Sequence, residues 1–275
     1  HIASCFHLSP FERAAILSID GMGDFVSTVF ARGRDTHAET LSRIYFPHSL
    51  GFLYNAITLY LGFPAYGEEY KVMGLAPYGK PEHLDQFRKI ITTTPDGFAL
   101  NLEYFTHHRD GIAMSWKDSE PRVGSFHSKK LEQLLGPALP PRSEVTAREE
   151  NIAASLQART EEVILHLTEL LHRKAPEDAL CLAGGVAMNA VANGKLHRSS
   201  PFKKLFVPIG AADNGTAFGA AFHVLHEVLK QPRRFELRHS YWGTEWSDAE
   251  YQAAIERHGL GGVRMEGAAP LEAGA

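Results

Sequence analysis

The residues with the clearest chemical potential stand in two short runs. One is Leu182-Ala-Gly-Gly-Val-Ala-Met-Asn189, the other Ala212-Asp-Asn-Gly-Thr-Ala-Phe-Gly-Ala220. Each reads as a short buried strand, a glycine-bearing turn and a helix start. Residues 179–183 are apolar and too few for a helix, Gly184 and Gly185 follow at once, and 186–196 can continue as a helix. Residues 205–209 open the second unit in the same way. A strand that enters a helix through glycines leaves backbone N–H groups free and turns the positive helix end toward an anion. Asp213 adds a carboxylate at the second turn, and Gly215 and Gly219 allow the next helix to pack closely. Two such turns suit a nucleotide-like ligand with a charged group near Asp213. They equally suit ordinary β–α turns in which Asp213 is a helix N-cap.

A second constellation lies near the start, in Ser18-Ile-Asp-Gly-Met-Gly-Asp24. Residues 14–19 form an apolar strand, 20–24 a turn and 25–31 an alternating return strand. That is a β-hairpin with glycines where positive φ is expected. A tip carrying Asp20, Asp24 and exposed N–H groups can wrap phosphate oxygens, or it can be a plain turn. Glu68, Glu69 and Lys71 share a short helix bracketed by Gly67, Gly74 and Gly79. They form either a turn against a ligand or a solvated, ion-paired face. Asn55 falls off the apolar stripe of its helix. His107 and His108 are adjacent, so their side chains diverge and they make a poor metal template; they are read as a turn.

The elements that must position these groups follow from periodicity. Residues 39–44 add a third strand. A helix over 49–62 carries Leu50, Leu53, Ile57 and Leu61 on one face and stops at Gly62. Further helices are expected over 81–91, with a proline near its start, and over 124–135, and a strand edge over 98–105. Pro137, Pro140 and Pro141 mark a linker within the fold or a surface loop. The longest helix runs over 146–174, burying Ile152, Ala153, Leu156, Val163, Leu167, Leu170 and Leu171. A helix follows Asp213, the chain exits at Gln231, and a return element holds a helix over 248–258; the Gly- and Ala-rich end from Gly259 is expected to be disordered. An antiparallel meander followed by β–α units gives an α/β fold, a mixed sheet with flanking helices. The expected parts are 1–13 as a helix end and linker, 14–230 as the main subdomain, and 231–275 as return element and tail.

Composition bounds the function. A hydrophobic share of 44% over 275 residues is enough for a real core. The net charge of −4 gives no basic field, so nucleic acid is not an expected partner. Two cysteines, Cys5 and Cys181, form no disulfide framework and fit a reducing, cytoplasmic setting. No run of about 18 apolar residues argues for a membrane span. The chain opens on His rather than Met and reads as a piece whose true N-terminus is missing.

The strand and helix order is also the plan of the ribonuclease-H-like half found in actin, sugar kinases and chaperone ATPases. More specifically, the chain resembles the O-carbamoyltransferase family that includes NodU, NolO and the cephalosporin and tobramycin carbamoyltransferases. The resembling stretches are His1-Ile-Ala-Ser-Cys-Phe with Ser9-Pro10-Phe11, Ser18 to Asp24, Lys71-Val-Met-Gly-Leu-Ala-Pro-Tyr-Gly79, Leu182 to Asn189 and Ala212 to Ala220. They span roughly residues 1–258, and their combination is far more specific than any one of them.

The resemblance implies a two-part enzyme. One part moves a carbamoyl group from carbamoyl adenylate to an acceptor hydroxyl; the other, YrdC-like, makes that adenylate from ATP and carbamoyl phosphate. It implies a divalent metal, usually Fe(II), held by two histidines of an H-x-x-x-H helix and one aspartate. His1 matches the second histidine and Asp213 the aspartate, with the first histidine upstream of this chain; both also count as catalytic candidates. Gly184, Gly185 and Asn189 match the adenosine loop, and Asp20, Gly21 and Gly23 the phosphate-side hairpin. Asn55, Glu69 and Lys71 match polar groups near the nucleoside more loosely. The piece resembles the second half of the transfer domain and is expected to be inactive alone. Its expected partners are ATP, carbamoyl phosphate and a hydroxyl-bearing small molecule or oligosaccharide such as a nodulation oligosaccharide. A homodimer is among the expected arrangements. Two other readings remain open at this stage: a tRNA threonylcarbamoyl-transfer-like protein, and a non-catalytic nucleotide-binding fragment.

Overall fold

The computed structural model describes residues 1–117 and 119–260. In chain order the elements are α1 (Ile2–Phe6), β1 (Arg13–Gly23), β2 (Val26–Arg34), β3 (His37–Tyr45), α2 (Leu50–Tyr60), α3 (Glu69–Leu75) and α4 (Leu84–Ile90). There follow β4 (Ile91–Thr94), β5 (Gly97–Leu100), α5 (His107–Asp110), β6 (Met114–Lys117), β7 (Glu120–Val123), α6 (Lys129–Leu135) and α7 (Ala147–Lys174). The last are β8 (Ala179–Ala183), α8 (Ala190–Ser199), β9 (Lys204–Phe206), α9 (Thr216–His223) and α10 (Asp248–Arg257). The chain divides into a unit of His1–Leu237 and a second unit from Arg238 onward, which holds α10.

The first unit is built on a five-stranded sheet in the order β3-β2-β1-β8-β9. Its first three strands form an antiparallel meander, and β8 and β9 add in parallel. β1 must therefore satisfy two covered faces, which explains its run of six buried residues. Ala15, Leu17 and Ile19 point into the large core under α2 and α7, while Ala14 and Ile16 meet Cys5, Phe6 and Cys181 on the other side. α7 starts at a capping box, Thr146 with Glu149, and buries all seven stripe residues expected of it.

Several local expectations need correction. The hairpin tip does not take positive φ at its glycines: Asp24 and Phe25 hold φ of 50° and 63°, and Gly21 and Gly23 do not. β1 instead runs on to Gly23, with a register break between Ile19 and Gly23. Three residues, 20–22, face the single Ser27, so Asp20-Gly21-Met22 bulges out of the ladder. The helix expected over 186–196 begins late. Gly185–Met188 is a 3-10 turn, and α8 starts only after Asn189, whose side chain caps it through Ala192 N–H. Residues 124–128 are not helical, because Ser128 caps α6. Pro81 lies ahead of α4, which starts at Leu84. Residues expected to be disordered after 260 lie outside the described ones. Among the described residues no helix is long and apolar enough to cross a membrane.

Candidate metal and nucleotide site

α1 and α9 lie side by side on the small-residue face of the sheet. Their close approach needs Gly219, where a Cβ would sit 3.1 Å from the Ser4 backbone nitrogen. His1 begins α1, and Asp213 begins the 3-10 turn Asp213–Gly215 that leads into α9. The two helix starts thus lie together. Asp213 is no N-cap: its carboxylate makes no cap hydrogen bond and is largely exposed. His1 Nε2 stands 3.4 Å from Asp213 Oδ1 and 3.1 Å from Asp20 Oδ2.

The bulge after Ile19 is what delivers Asp20. Its Oδ2 meets His1, and its Oδ1 accepts from Gly185 N–H at 3.0 Å. Ser49 Oγ donates to the Asp20 carbonyl at 3.0 Å, and Gly51 lets α2 lie directly on the Asp20–Gly21 peptide. One carboxylate therefore ties together β1, α1 and the turn after β8. That turn depends on Gly184, whose φ is +87° and whose missing Cβ would fall 2.2 Å from the Ile19 carbonyl oxygen.

Ligand atoms of His1, Asp20 and Asp213 all lie within 4.8 Å of one another. One imidazole nitrogen and two carboxylate oxygens suit a divalent cation such as Fe(II), Mn(II) or Zn(II), with coordination positions left for other ligands. The opposite ring nitrogen, His1 Nδ1, is buried without a hydrogen-bond partner, so the ring's polar contacts all run through Nε2. The hydrogen bond to Asp20 raises the His1 pKa; burial opposes it, and the charges of Asp20 and Asp213 add to the rise. Burial pushes the Asp20 carboxyl up, but hydrogen bonds from His1 and Gly185 outweigh it and hold the group below its ordinary value. The proton on His1 and a cation compete for one place.

The other expected contacts sort into two groups. The N–H groups of Gly184 and Gly185 are not free as the turn pattern implies: the first bonds Ala211 O at 2.8 Å, the second Asp20. Asn189 is buried, and its amide is shared between Ala192 N–H and Gln157. Gly21 lies within the bulge, and Gly23 resumes the pairing beyond it. Asn55 donates to Glu69 Oε1 at 2.5 Å, joining α2 to α3. Lys71 pairs with Glu68 and faces a pocket that the cluster of His1, Asp20 and Asp213 does not line. His107 is a core residue, ringed by Phe46, Phe52, Phe105 and Phe126 and bonded to the Pro47 carbonyl.

Three contributors escaped sequence reasoning. Asp20, expected on the phosphate side, also stands beside His1 and Asp213, a meeting that its distance in sequence from Asp213 hides. Tyr66 has its hydroxyl pKa raised by burial and then by the fields of Asp213, Glu69 and Asp20, which puts all three carboxylates within its electrostatic reach. Arg233 donates to the carbonyls of Phe6, Ser9 and Phe11 and lies over the Phe6 ring, so it clamps the end of the helix that carries His1. Nothing in its charged neighbourhood, Lys230, Arg234, Glu236 and Arg238, signals it.

A mixed α/β unit with a histidine–carboxylate cluster at the starts of two neighbouring helices is the class that fold and site define. The sequence comparisons give the family. The model described as "Carbamoyltransferase N-terminus" matches residues 1–222, and this chain belongs to that family. It is 39% identical over 263 residues to an uncharacterized protein of Synechocystis, covering 93% of this chain and 41% of that protein. It is 36% identical over 246 residues to nodulation protein NolO of Bradyrhizobium diazoefficiens, covering 89% of this chain and 41% of NolO. The nodulation protein NolNO of Sinorhizobium fredii is 34% identical over 247 residues, with 89% and 33% covered. The chain thus spans well under half the length of these relatives.

Proposed function

We propose that this chain supplies the metal-holding half of a site that transfers a carbamoyl group from carbamoyl adenylate to a hydroxyl of a sugar or other small-molecule acceptor. Carbamoyltransferase membership supports the group transferred, and the similarity to two nodulation proteins is in keeping with the hydroxyl-bearing acceptor that the sequence motifs imply. The sheet order, meander first and parallel strands after, supports a ribonuclease-H-like reading of the fold. The observation that carries the proposal is the convergence of His1, Asp20 and Asp213 beside the Gly184–Gly185 turn.

In this reading His1, Asp20 and Asp213 hold a divalent cation, which supplies Lewis-acid polarisation of a substrate oxygen when bound. The chain's own residues do the positioning. Asp20, fixed at both oxygens, sets the angle between α1 and the glycine turn. The exposed face of Gly185 lacks a side chain, which leaves room for a planar or phosphorylated ligand to lie against the backbone. Burial, and then the charges of Asp213, Glu69 and Asp20, raise the Tyr66 hydroxyl above its ordinary value, so it stays a hydrogen-bond donor. A proton held there can be donated as a hydrogen bond to substrate oxygen.

The test is Asp213→Ala in the full-length parent protein, with carbamoyl transfer followed by mass of the acceptor. Loss of transfer with retained folding is the expected result. Turnover at the parent rate would overturn the assignment. Calorimetry with AMP and ATP, on this chain and on the parent, then reports whether the nucleotide contacts lie in this half.

A further inference from the structure

A second cavity has no role in that scheme. The end of α2, the strap of residues 63–68, the start of α3, β7 and residues 142–145 enclose a pocket of about 300 Å³. That is the lower end of the range for small-molecule sites. Its charged groups are Lys71, Arg122 and Arg142 against Glu68 and Glu120. Three cations face two carboxylates, and the pairing inside is uneven.

Glu68 is used up. One oxygen takes the Lys71 ammonium and the other accepts Ala65 N–H at 2.7 Å. Arg122 reaches Glu120 only at 3.6 Å, and its Nε is buried with no hydrogen-bond partner. Arg142 makes no ion pair among the described residues, and its backbone is held at φ 62°. A buried guanidinium nitrogen left without an acceptor is costly, and an acceptor group entering the pocket would relieve it. Guanidinium forks match the planar oxygens of a carboxylate or the tetrahedral oxygens of a phosphate. Ser143 adds a hydroxyl able to meet a neutral polar group.

The pocket is linked to the metal cluster by consecutive residues. Phe63, Pro64 and Ala65 line it, and Tyr66, next in the chain, faces the fields of Asp20, Glu69 and Asp213. Likewise Glu68 faces the pocket, while Glu69 bonds Asn55. α2 connects the two places: Gly51 near its start lies on the Asp20–Gly21 peptide, and Leu61 and Gly62 just past its end line the pocket.

We propose that this pocket is the anion subsite for the acceptor: it takes the single carboxylate or phosphate of a hydroxyl-rich molecule, an anionic sugar. The proposal rests on reading the chain as half of a carbamoyl-transfer site, and it specifies the acceptor's chemistry. The net excess of one positive charge fits one acidic group. The size fits a monosaccharide unit.

Calorimetric titration of this protein with glucose 6-phosphate, glucuronate, inorganic phosphate and glucose tests it. At least one sugar anion is expected to bind at least about tenfold more tightly than both inorganic phosphate and glucose. Which anion wins distinguishes a phosphate from a carboxylate acceptor. Arg142→Glu, at an exposed position, should weaken that binding by about tenfold or more, and Arg122→Gln should weaken it too, with thermal midpoints checked for each. Asp213→Asn should leave it unchanged, so failure of the metal-site reading and failure of this one are separable. The proposal is overturned if neither sugar anion binds, if inorganic phosphate binds as tightly, or if Arg142→Glu binds the sugar anion like the parent.

Discussion

Asp20 and Asp213 play unequal parts although both face His1. Asp20 is half-buried and fastened at both oxygens, whereas the carboxylate of Asp213 is largely exposed and, among the described residues, pairs with His1 alone. Asp213→Asn should cost metal affinity alone. Asp20→Asn should cost affinity and also loosen the turn at Gly185. Loss of groups that merely support a metal ligand costs about 10–100-fold in affinity, so removal of a ligand should cost at least about 100-fold. Calorimetry with Mn(II) or Co(II) on both variants measures this, and a thermal scan should show a lower midpoint for Asp20→Asn only. His7 provides a second check. Burial pushes its pKa down to about 4, with His226 and Arg233 adding to the fall and the Glu227 hydrogen bond opposing it. In the unfolded chain it titrates near the usual value of about 6.5. The unfolded state therefore binds more protons between those values, and stability falls as pH drops from about 6.5 toward about 4. At about 1.4 kcal/mol per unit the loss reaches at most about 3 kcal/mol. Urea titrations at pH 7.5 and pH 5 should show it, and His7→Asn should flatten the difference.

At the scale of elements, two devices aim the site. The first is the turn after β8. Gly184→Ala meets both a positive φ and the Ile19 carbonyl oxygen at 2.2 Å, so β8 and β1 cannot keep their register there. Overpacking alone costs about 1–3 kcal/mol, and the left-handed backbone adds about 1 kcal/mol or more. A loss of about 3 kcal/mol or more by urea denaturation is expected. The second device is Arg233. Three of its carbonyl partners belong to the segment that closes α1, a fourth is Asp35 in the turn after β2, and hydrogen bonds to a charged group contribute about 1.5–3 kcal/mol. Arg233→Ala should lower stability by about that amount. It should also reduce metal affinity through disorder of α1, although Arg233 touches no ligand; unchanged affinity would remove its role in placing His1.

For the molecule as a whole, the distribution of parts decides what can be cut away. The sheet, both core clusters, the three candidate ligands and Arg233 all lie within His1–Leu237. A chain ending at Leu237 should therefore fold cooperatively and bind Mn(II) within about twofold of the longer one. Circular dichroism melting and calorimetry would report a failure of either. The two cysteines lie in the smaller core cluster, both fully buried and free, with burial raising the Cys181 thiol to about 12. That face of the sheet is packed by small side chains, which lets α1 and α9 sit close and brings their starts together.

Much was legible from residues alone. The five strands of the main sheet, the long α7 and its buried stripe follow from periodicity, whereas β4, β6 and β7 do not, because the apolar repeat of an amphipathic element is written locally and these short exposed strands lack one. The motifs around His1, Asp20, Gly184 and Asp213 gave the family, which the matching model bears out. Short-range pattern failed where a contact between distant residues overrode it. The hairpin glycines looked like the source of positive φ, but the bulge moved the tip to Asp24 and Phe25. The glycine turn looked like a row of free N–H groups, but the parallel pairing of β8 with β1 set Asp20 beside Gly185 and spent one of them. So the sequence by itself determined which residue types stand at which turns. Tertiary structure decided which of them meet, since the distance between His1, Asp20 and Asp213 depends on helix packing at Gly219 and a register break that no local spacing encodes.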